Sequence, residues 1–318
     1  MKRIGVLTSG GDCSGINATL KAIVEEAYKN NIKVTGFLEG YNGLVNDLAI
    51  ELTPIQVSGI LQRGGTILMT SRCEEFMQES GFKKALKTLE DEEIEGLIVI
   101  GGDGSLRGAK KLAESGIVCV GIPESIDNDI YGTDMALGVD TALNIITNAI
   151  DIIRDTASSH KRAFVIETMG RESGYLALMS AMASGAEAVL IPEVEYDIDS
   201  IMNRLKQEHE RGRKYSIVVV AEGVKKTQEV TEKLKKEAGF DTRLTILGHI
   251  QRGGNPSVFD RTLGMRMGIK AVQSLITTQP CIVGLQGSDI KNVAFDVVFA
   301  NKKAFSQMML EFARLKSR

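Results

Sequence analysis

Short, continuously apolar runs punctuate the chain at Ile4–Leu7, Leu97–Ile100, Ile117–Val120, Ala163–Ile166, Ala188–Ile191 and Ile217–Ala221. None alternates with polar residues. Each therefore predicts a strand covered on both faces, the pattern of a parallel sheet. Between the runs the apolar positions change period. Ile16, Leu20, Ile23, Val24 and Ala27 follow the 3.6-residue repeat of a helix. A longer helix is predicted over about 141–155 on Ile145, Ile146, Ala149, Ile152 and Ile153, and a polar, surface-exposed one near 199–211. This alternation predicts an α/β architecture with right-handed crossovers.

The polar chemistry sits in the segments that follow the strands. Thr8-Ser9-Gly10-Gly11-Asp12 follows the first and Gly101-Gly102-Asp103-Gly104-Ser105 another. Pro123-Glu124-Ser125-Ile126-Asp127-Asn128-Asp129 and Glu167-Thr168-Met169-Gly170-Arg171-Glu172 follow two more. In an open parallel sheet ligands bind beyond the carboxyl ends of the strands, which predicts that these segments converge on one cleft. Glycine at a strand-to-helix turn lets backbone N–H groups approach phosphate oxygens, and the next helix adds its positive end. An isolated glycine pair is more often an ordinary tight turn, and neither turn here is a P-loop or a GxGxxG fingerprint. Asp103 among glycines changes the weighting. A carboxylate beside phosphates repels them unless a cation lies between, so Asp103 reads as a Mg²⁺ ligand, directly or through water. Asp127 and Asp129 suit a division of labour, one taking a proton from an attacking hydroxyl and the other helping to hold metal. An Asx turn that caps its own backbone explains the same spacing equally well.

Composition narrows the field. The 318 residues carry a formal net charge of −3, with 43% hydrophobic and 25% charged residues. These are values of a soluble globular chain long enough for about two domains. They give no support to a nucleic-acid or anionic-membrane protein. No apolar run approaches the ~20 residues needed to span a bilayer. Ser9-Gly10-Gly11-Asp12 also arrives too early for a signal-peptide core. Cys13, Cys73, Cys119 and Cys281 form no CxxC pair. Neither zinc nor disulfides are indicated, and a cytoplasmic location is expected.

Arg72, Arg162, Arg171, Arg243 and Arg252 stand singly in glycine-rich or strand-end contexts, where arginine suits phosphate capture. Taken one by one, each is more commonly a surface ion-pair partner. Gly248-His249-Ile250-Gln251-Arg252-Gly253-Gly254 shifts the weighting toward a polar recognition loop. It makes His249 the functional candidate among the histidines, with His209 expected on a solvated helix face.

Together, Ser9-Gly10-Gly11-Asp12, Gly101 to Ser105, Ile126-Asp127-Asn128-Asp129, Met169-Gly170-Arg171 and Gly248 to Gly254 resemble the bacterial 6-phosphofructokinase family, from Lys2 to about Gly287. The resemblance implies two similar three-layer α/β/α domains with mostly parallel sheets. The larger, nucleotide-binding domain takes residues 1–138 plus 251–301, and the smaller, sugar-phosphate-binding domain takes 139–250 plus 302–318. It implies a glycolytic kinase that transfers the ATP γ-phosphoryl group to the 1-hydroxyl of fructose 6-phosphate, with Mg²⁺ accompanying ATP. The products are fructose 1,6-bisphosphate and ADP.

By the same resemblance Asp127 is the general base, Arg171 stabilises the transition state, and Ser125 keeps a hydroxyl donor beside them. Asp103 and Asp129 handle the metal. Gly11, Tyr41, Arg72, Cys73, Gly102, Asp103, Gly104, Ser105 and Gly108 line the ATP site. Ser125, Asp127, Met169, Gly170, Arg171, Glu222, His249 and Arg252 hold the sugar phosphate, with Arg162 and Arg243 reaching in from a neighbouring subunit of a homotetramer. A pocket for an ADP or phosphoenolpyruvate effector draws on Lys21, Glu25, Arg154, Gly185, Glu187, Arg211, Arg213, Lys214 and Tyr215.

Some positions depart from the family pattern. Glu124 stands where glycine is usual. Two unit like charges ~4 Å apart at an effective dielectric near 20 cost about 4 kcal/mol. Glu124 is thus expected to add an anion that weakens donor binding. It keeps two alternatives in view, the same acceptor with pyrophosphate or another donor, and a catalytically weak sugar-phosphate sensor. Gly104 favours ATP. Glu25 and Pro54 stand where arginines are common and Gly59 where an aspartate is, which predicts a weakened or altered effector response.

Overall fold

Every residue except Thr278 is described in a computed structural model. The chain falls into two compact units, Met1–Thr141 with Arg252–Lys303, and Ala142–Gln251 with Ala304–Arg318. The first opens with β1 (Arg3–Ser9), α1 (Ile16–Lys29), β2 (Lys33–Phe37), α2 (Tyr41–Asn46) and β3 (Ala49–Leu52). It continues through α3 (Glu79–Asp91), β4 (Gly96–Gly101), α4 (Asp103–Glu114) and β5 (Val118–Pro123). Helix α5 (Val139–His160) leads into the second unit. That unit holds β6 (Arg162–Thr168), α6 (Tyr175–Ser184), β7 (Ala188–Leu190), α7 (Ile198–Glu210), β8 (Ser216–Ala221), α8 (Thr227–Glu237) and β9 (Asp241–Ile246). The chain returns to the first unit with α9 (Val258–Ile276), β10 (Cys281–Gln286), β11 (Asp289–Val293) and α10 (Phe295–Ala300), and closes with α11 (Gln307–Lys316) in the second.

The first unit is built on a seven-stranded sheet in the order β11-β10-β5-β4-β1-β2-β3. It is parallel except where β3 pairs with β2 and β11 with β10. Leu7, Leu97, Val99 and Cys119 face one apolar cluster that α2, α3 and α4 complete through Leu44, Leu89 and Leu106. The alternate residues Ile4, Val6, Ile98 and Ile100 are just as buried. On that face α9 lies against β4, β5 and β10 and packs along α1. Burial on both faces is the reason these strands read as unbroken apolar runs.

A single carboxylate fixes the start of α5. Asp260, fully buried, accepts the Gly138 N–H at 2.9 Å, the Thr141 N–H at 2.8 Å and the Thr141 hydroxyl at 2.5 Å.

The second unit is built on a parallel sheet in the order β7-β8-β6-β9. The apolar runs around 163–166, 188–191 and 217–221 form β6, β7 and β8. Strand β9 gave no such signal because it lies at the edge, where Asp241 and Arg243 face solvent and Thr242 faces inward. The helix expected to be polar near 199–211 is α7, and it does carry an apolar stripe of Ile198, Ile201, Met202 and Leu205. His209 was expected on a solvated face. Instead its ring packs on Phe240 at 4.1 Å, so that face is only partly open to water. Among the described residues no helix is long and apolar enough to cross a membrane.

Candidate active site

Strands β5, β4 and β1 are neighbours, and Gly101 pairs with Ser9 on one side and with Pro123 on the other. The chain moves outward from β1 through β2 and β3, then returns to the opposite side of β1 as β4. The strand order therefore reverses between β1 and β4, the place where open α/β sheets bind ligands. There the Ser105 hydroxyl donates to Ser9 Oγ at 3.0 Å. A side chain at Gly101 would collide with the Ser9 carbonyl. Helix α4 begins at Asp103 with no side chain capping its first N–H groups, an arrangement suited to an anion. Gly104, in its first turn, opens on empty space.

Tyr41 forms the floor of this turn. Its hydroxyl donates to the Ser105 carbonyl at 2.6 Å and its ring stacks on Phe76 at 4.1 Å. Gly108 lies flush beneath it, since a Cβ there would come within 2.6 Å of the phenol oxygen. Burial pushes the phenol pKa up. Cys73 packs against the same cluster and Arg72 is exposed.

Asp103 is about half-exposed and is paired with Arg107 one turn on, at 2.7 Å, while the Arg107 guanidinium lies 4.4 Å over the Phe299 ring. Among the described residues no three His, Cys, Asp or Glu side chains gather into a metal cage. Magnesium does not need one. It is commonly held by one or two carboxylates, with water and substrate phosphates filling its octahedron. Asp103 and Asp129 are both exposed, and each is a donor of the type such a site uses.

The turn after β5 carries Asp127, Asn128 and Asp129 in sequence. Ser125 Oγ accepts the Asp127 N–H at 3.3 Å, and Asp127 is only 5% exposed. Asn128, buried in the left-handed conformation at φ 50°, supplies the backbone contacts. Its Nδ2 donates to the Asp134 carbonyl at 3.2 Å and its Oδ1 accepts the Ala136 N–H at 3.0 Å. Asn128 thus stitches this turn through its own side chain. Lys303, absent from the sequence-based candidates, adds bonds to Asn128 Oδ1 at 2.7 Å and to the Asp134 carbonyl at 2.9 Å. Burial pulls its ammonium pKa down to about 8, against the attraction of Asp134 and Asp129.

Glu124 differs from its expectation as a phosphate-facing anion. It is 3% exposed, its N–H bonds the Gly101 carbonyl at 3.0 Å, and its carboxyl lies beside the Cys13 thiol. Burial raises its pKa to about 8 despite the Cys13 hydrogen bond and the nearby Arg252. Burial thus favours the protonated acid at pH 7, which lowers the like-charge cost expected of it. The Arg252 guanidinium lies against Gly11, where any Cβ would crowd it.

In the second unit, Glu222 and Gln251 shape the turn after β6. Glu222 Oε1 accepts the N–H of Gly170 at 3.1 Å and of Arg171 at 2.7 Å, holding Arg171 at φ 52°. Gln251, almost fully buried, accepts the Met169 N–H at 3.2 Å and donates to the Gly248 carbonyl at 2.9 Å. Glu222 thus works on the backbone here, and His249 is exposed. Arg162 and Arg243 share Asp241, which bonds Arg162 Nε at 2.7 Å and also Arg243. Arg162 first, then Arg243, lowers the Asp241 pKa. The motifs gave no sign of Asp241, because β6–β9 pairing alone brings it opposite Arg162.

Of the expected effector residues, Glu187 is buried and bonds Arg213 at 2.7 Å and the Ile217 N–H at 2.6 Å. Arg154 bonds the Ser184 carbonyl beside the left-handed Gly185 and lies 6.0 Å from the Tyr215 ring. Arg211 and Lys214 are exposed. Lys21 and Glu25 lie on α1 in the first unit and pair with each other at 2.5 Å.

The phosphofructokinase family matches residues 3–275. The chain is 52% identical over 292 residues to an ATP-dependent 6-phosphofructokinase of Bacillus pumilus, covering 91% of each. It is 48% identical to that of Thermotoga neapolitana over the full length of both. Among solved structures, the T-state phosphofructokinase of Pichia pastoris superposes with a TM-score of 0.90 at 36% identity, covering 94% of this chain and 35% of that one.

Proposed function

The chain belongs to the phosphofructokinase family, and we propose that it phosphorylates the 1-hydroxyl of fructose 6-phosphate from Mg-ATP. One observation carries the reading most directly. Asp127 is buried in the turn after β5 and the uncapped start of α4 follows the neighbouring β4, so a proton acceptor and a phosphate-binding helix end lie beyond the carboxyl ends of adjacent strands. Gly104 leaves room for a nucleotide there, and burial of Glu124 favours its uncharged form, which eases repulsion of the donor. The relatives matched over nearly the whole chain are named ATP-dependent enzymes, which favours neither pyrophosphate nor a sensor role.

In this mechanism the N–H groups at the start of α4 receive the donor phosphates. Asp103 and Asp129 would hold Mg²⁺, which would supply neutralisation of phosphate charge. Asp127 takes the proton of the attacking hydroxyl. Arg171, its backbone fixed by Glu222, offsets charge on the transferring group. The first unit binds nucleotide and the second sugar phosphate, with Arg162 and Arg243 contributed by a neighbouring subunit of a homotetramer. The cluster around Arg154, Glu187 and Arg213 is the place where an ADP or phosphoenolpyruvate effector acts. The cytoplasm is the compartment that suits these substrates.

A coupled aldolase assay with fructose 6-phosphate tests the reading. Turnover is expected with Mg-ATP and not with pyrophosphate. Turnover with pyrophosphate alone overturns the donor assignment, and no turnover with either overturns the function.

A further inference from the structure

Asn128 lies between the two aspartates assigned to proton transfer and metal, in the left-handed conformation, with Asp127 buried before it and Asp129 exposed after it. Asparagine enters that conformation more readily than most residues, but its side chain keeps one orientation there only where its surroundings fix it. Here three groups do so. Asn128 Oδ1 receives the Ala136 N–H at 3.0 Å and the Lys303 ammonium at 2.7 Å. Asn128 Nδ2 and Lys303 Nζ both donate to the Asp134 carbonyl, at 3.2 and 2.9 Å. A closed ring of hydrogen bonds thus joins Lys303, Asn128 and Asp134. The ring is anchored to the sheet, because Asp134 N–H donates to the Leu285 carbonyl at 2.7 Å and its carboxylate receives the Gly287 N–H at 2.7 Å. The cation comes from far along the chain, 175 residues beyond Asn128, where the chain leaves the first unit.

We propose that Lys303 is a positioning residue for phosphoryl transfer. Through Asn128 it fixes where Asp127 and Asp129 point, without touching substrate itself. This rests on the kinase reading above. Charge-assisted bonds to neutral acceptors are about twice as strong as neutral ones. Losing this one leaves Asn128 held only by neutral bonds, from the Ala136 N–H and to the Asp134 carbonyl. Misplacing a proton acceptor by about 1 Å can cost on the order of 10²-fold in rate while ground-state contacts elsewhere persist.

The test compares Lys303→Met, Lys303→Gln and Lys303→Arg with the wild type. Steady-state kinetics in the coupled assay are read beside thermal melting. Lys303→Met is expected to lower kcat about 10- to 100-fold, with both KM values within about threefold and melting nearly unchanged. Lys303→Gln, which keeps an N–H donor group without the charge, falls between, and Lys303→Arg returns to within about threefold of wild type. A merely structural lysine would move melting and the folded fraction, and would not split kcat from KM. An unchanged kcat in Lys303→Met overturns the proposal. A loss that tracks the unfolded fraction overturns it too, and if Lys303→Met does not fold, the same comparison is made on Lys303→Gln. An inactive wild type indicts the kinase reading instead, whereas failure of this inference appears as an active wild type and an equally active variant.

Discussion

Arg107 grips Asp103 through both carboxylate oxygens, Nε to Oδ2 at 2.7 Å and Nη2 to Oδ1 at 3.3 Å. Both side chains are about half-exposed, so the pair is screened and contributes under ~1 kcal/mol. It still competes directly for the carboxylate assigned to magnesium. Arg107→Ala should lower the half-saturating free Mg²⁺ about two- to fivefold and leave melting almost unchanged. A Mg²⁺ titration of activity at fixed ATP checks this, and a higher Mg²⁺ requirement contradicts it.

Glu124 makes stability depend on pH. Folded, it keeps its proton up to about pH 8, whereas its ordinary pKa is 4.5. Between those values the folded state binds a proton that the unfolded state has released. This group's contribution to stability therefore falls as pH rises through that window and levels off above it. Glu124→Gln mimics the neutral acid and should match wild-type melting near pH 4.5, then exceed it increasingly toward pH 8. Parallel melting curves across that range would show that the carboxyl is not held neutral.

Asp127→Ser removes the assigned base and should reduce kcat at least ~10²-fold with substrate affinities comparatively intact. Equilibrium binding of fructose 6-phosphate, measured separately from turnover, distinguishes this from a binding defect. Near-normal turnover would move the base to another residue.

Glu222 supports Arg171 through the backbone. Truncation to alanine strands the Gly170 and Arg171 N–H groups, which should cost about 1–3 kcal/mol of stability. With the turn loosened, kcat/KM for fructose 6-phosphate should fall at least ~10-fold. Glu222→Gln keeps an acceptor oxygen and should recover most of the stability. Denaturant melts and saturation curves on both variants check this, and if Gln fails as badly as Ala, the carboxylate charge rather than the acceptor matters.

Chain chemistry alone determined the sheet-covered runs, the α/β class and the glycine- and acid-rich turns at strand ends. Desolvating Leu97–Ile100 or Ile217–Ala221 on both faces leaves a chain few other ways to fold. Arg107 was not among the sequence-based candidates, although its i,i+4 spacing from Asp103 is a signal that could have found it.

What tertiary structure decided concerns contacts between residues far apart in the chain. Lys303 meets Asn128 across 175 residues, Glu222 meets Arg171 across 51, and Asp241 meets Arg162 across 79. No periodicity encodes such pairs. Glu124 carries the same lesson in its charge. Written as a letter it is an anion, but a carboxyl's ionisation depends on the water around it, and only the packing of β5 beside Cys13 removed that water.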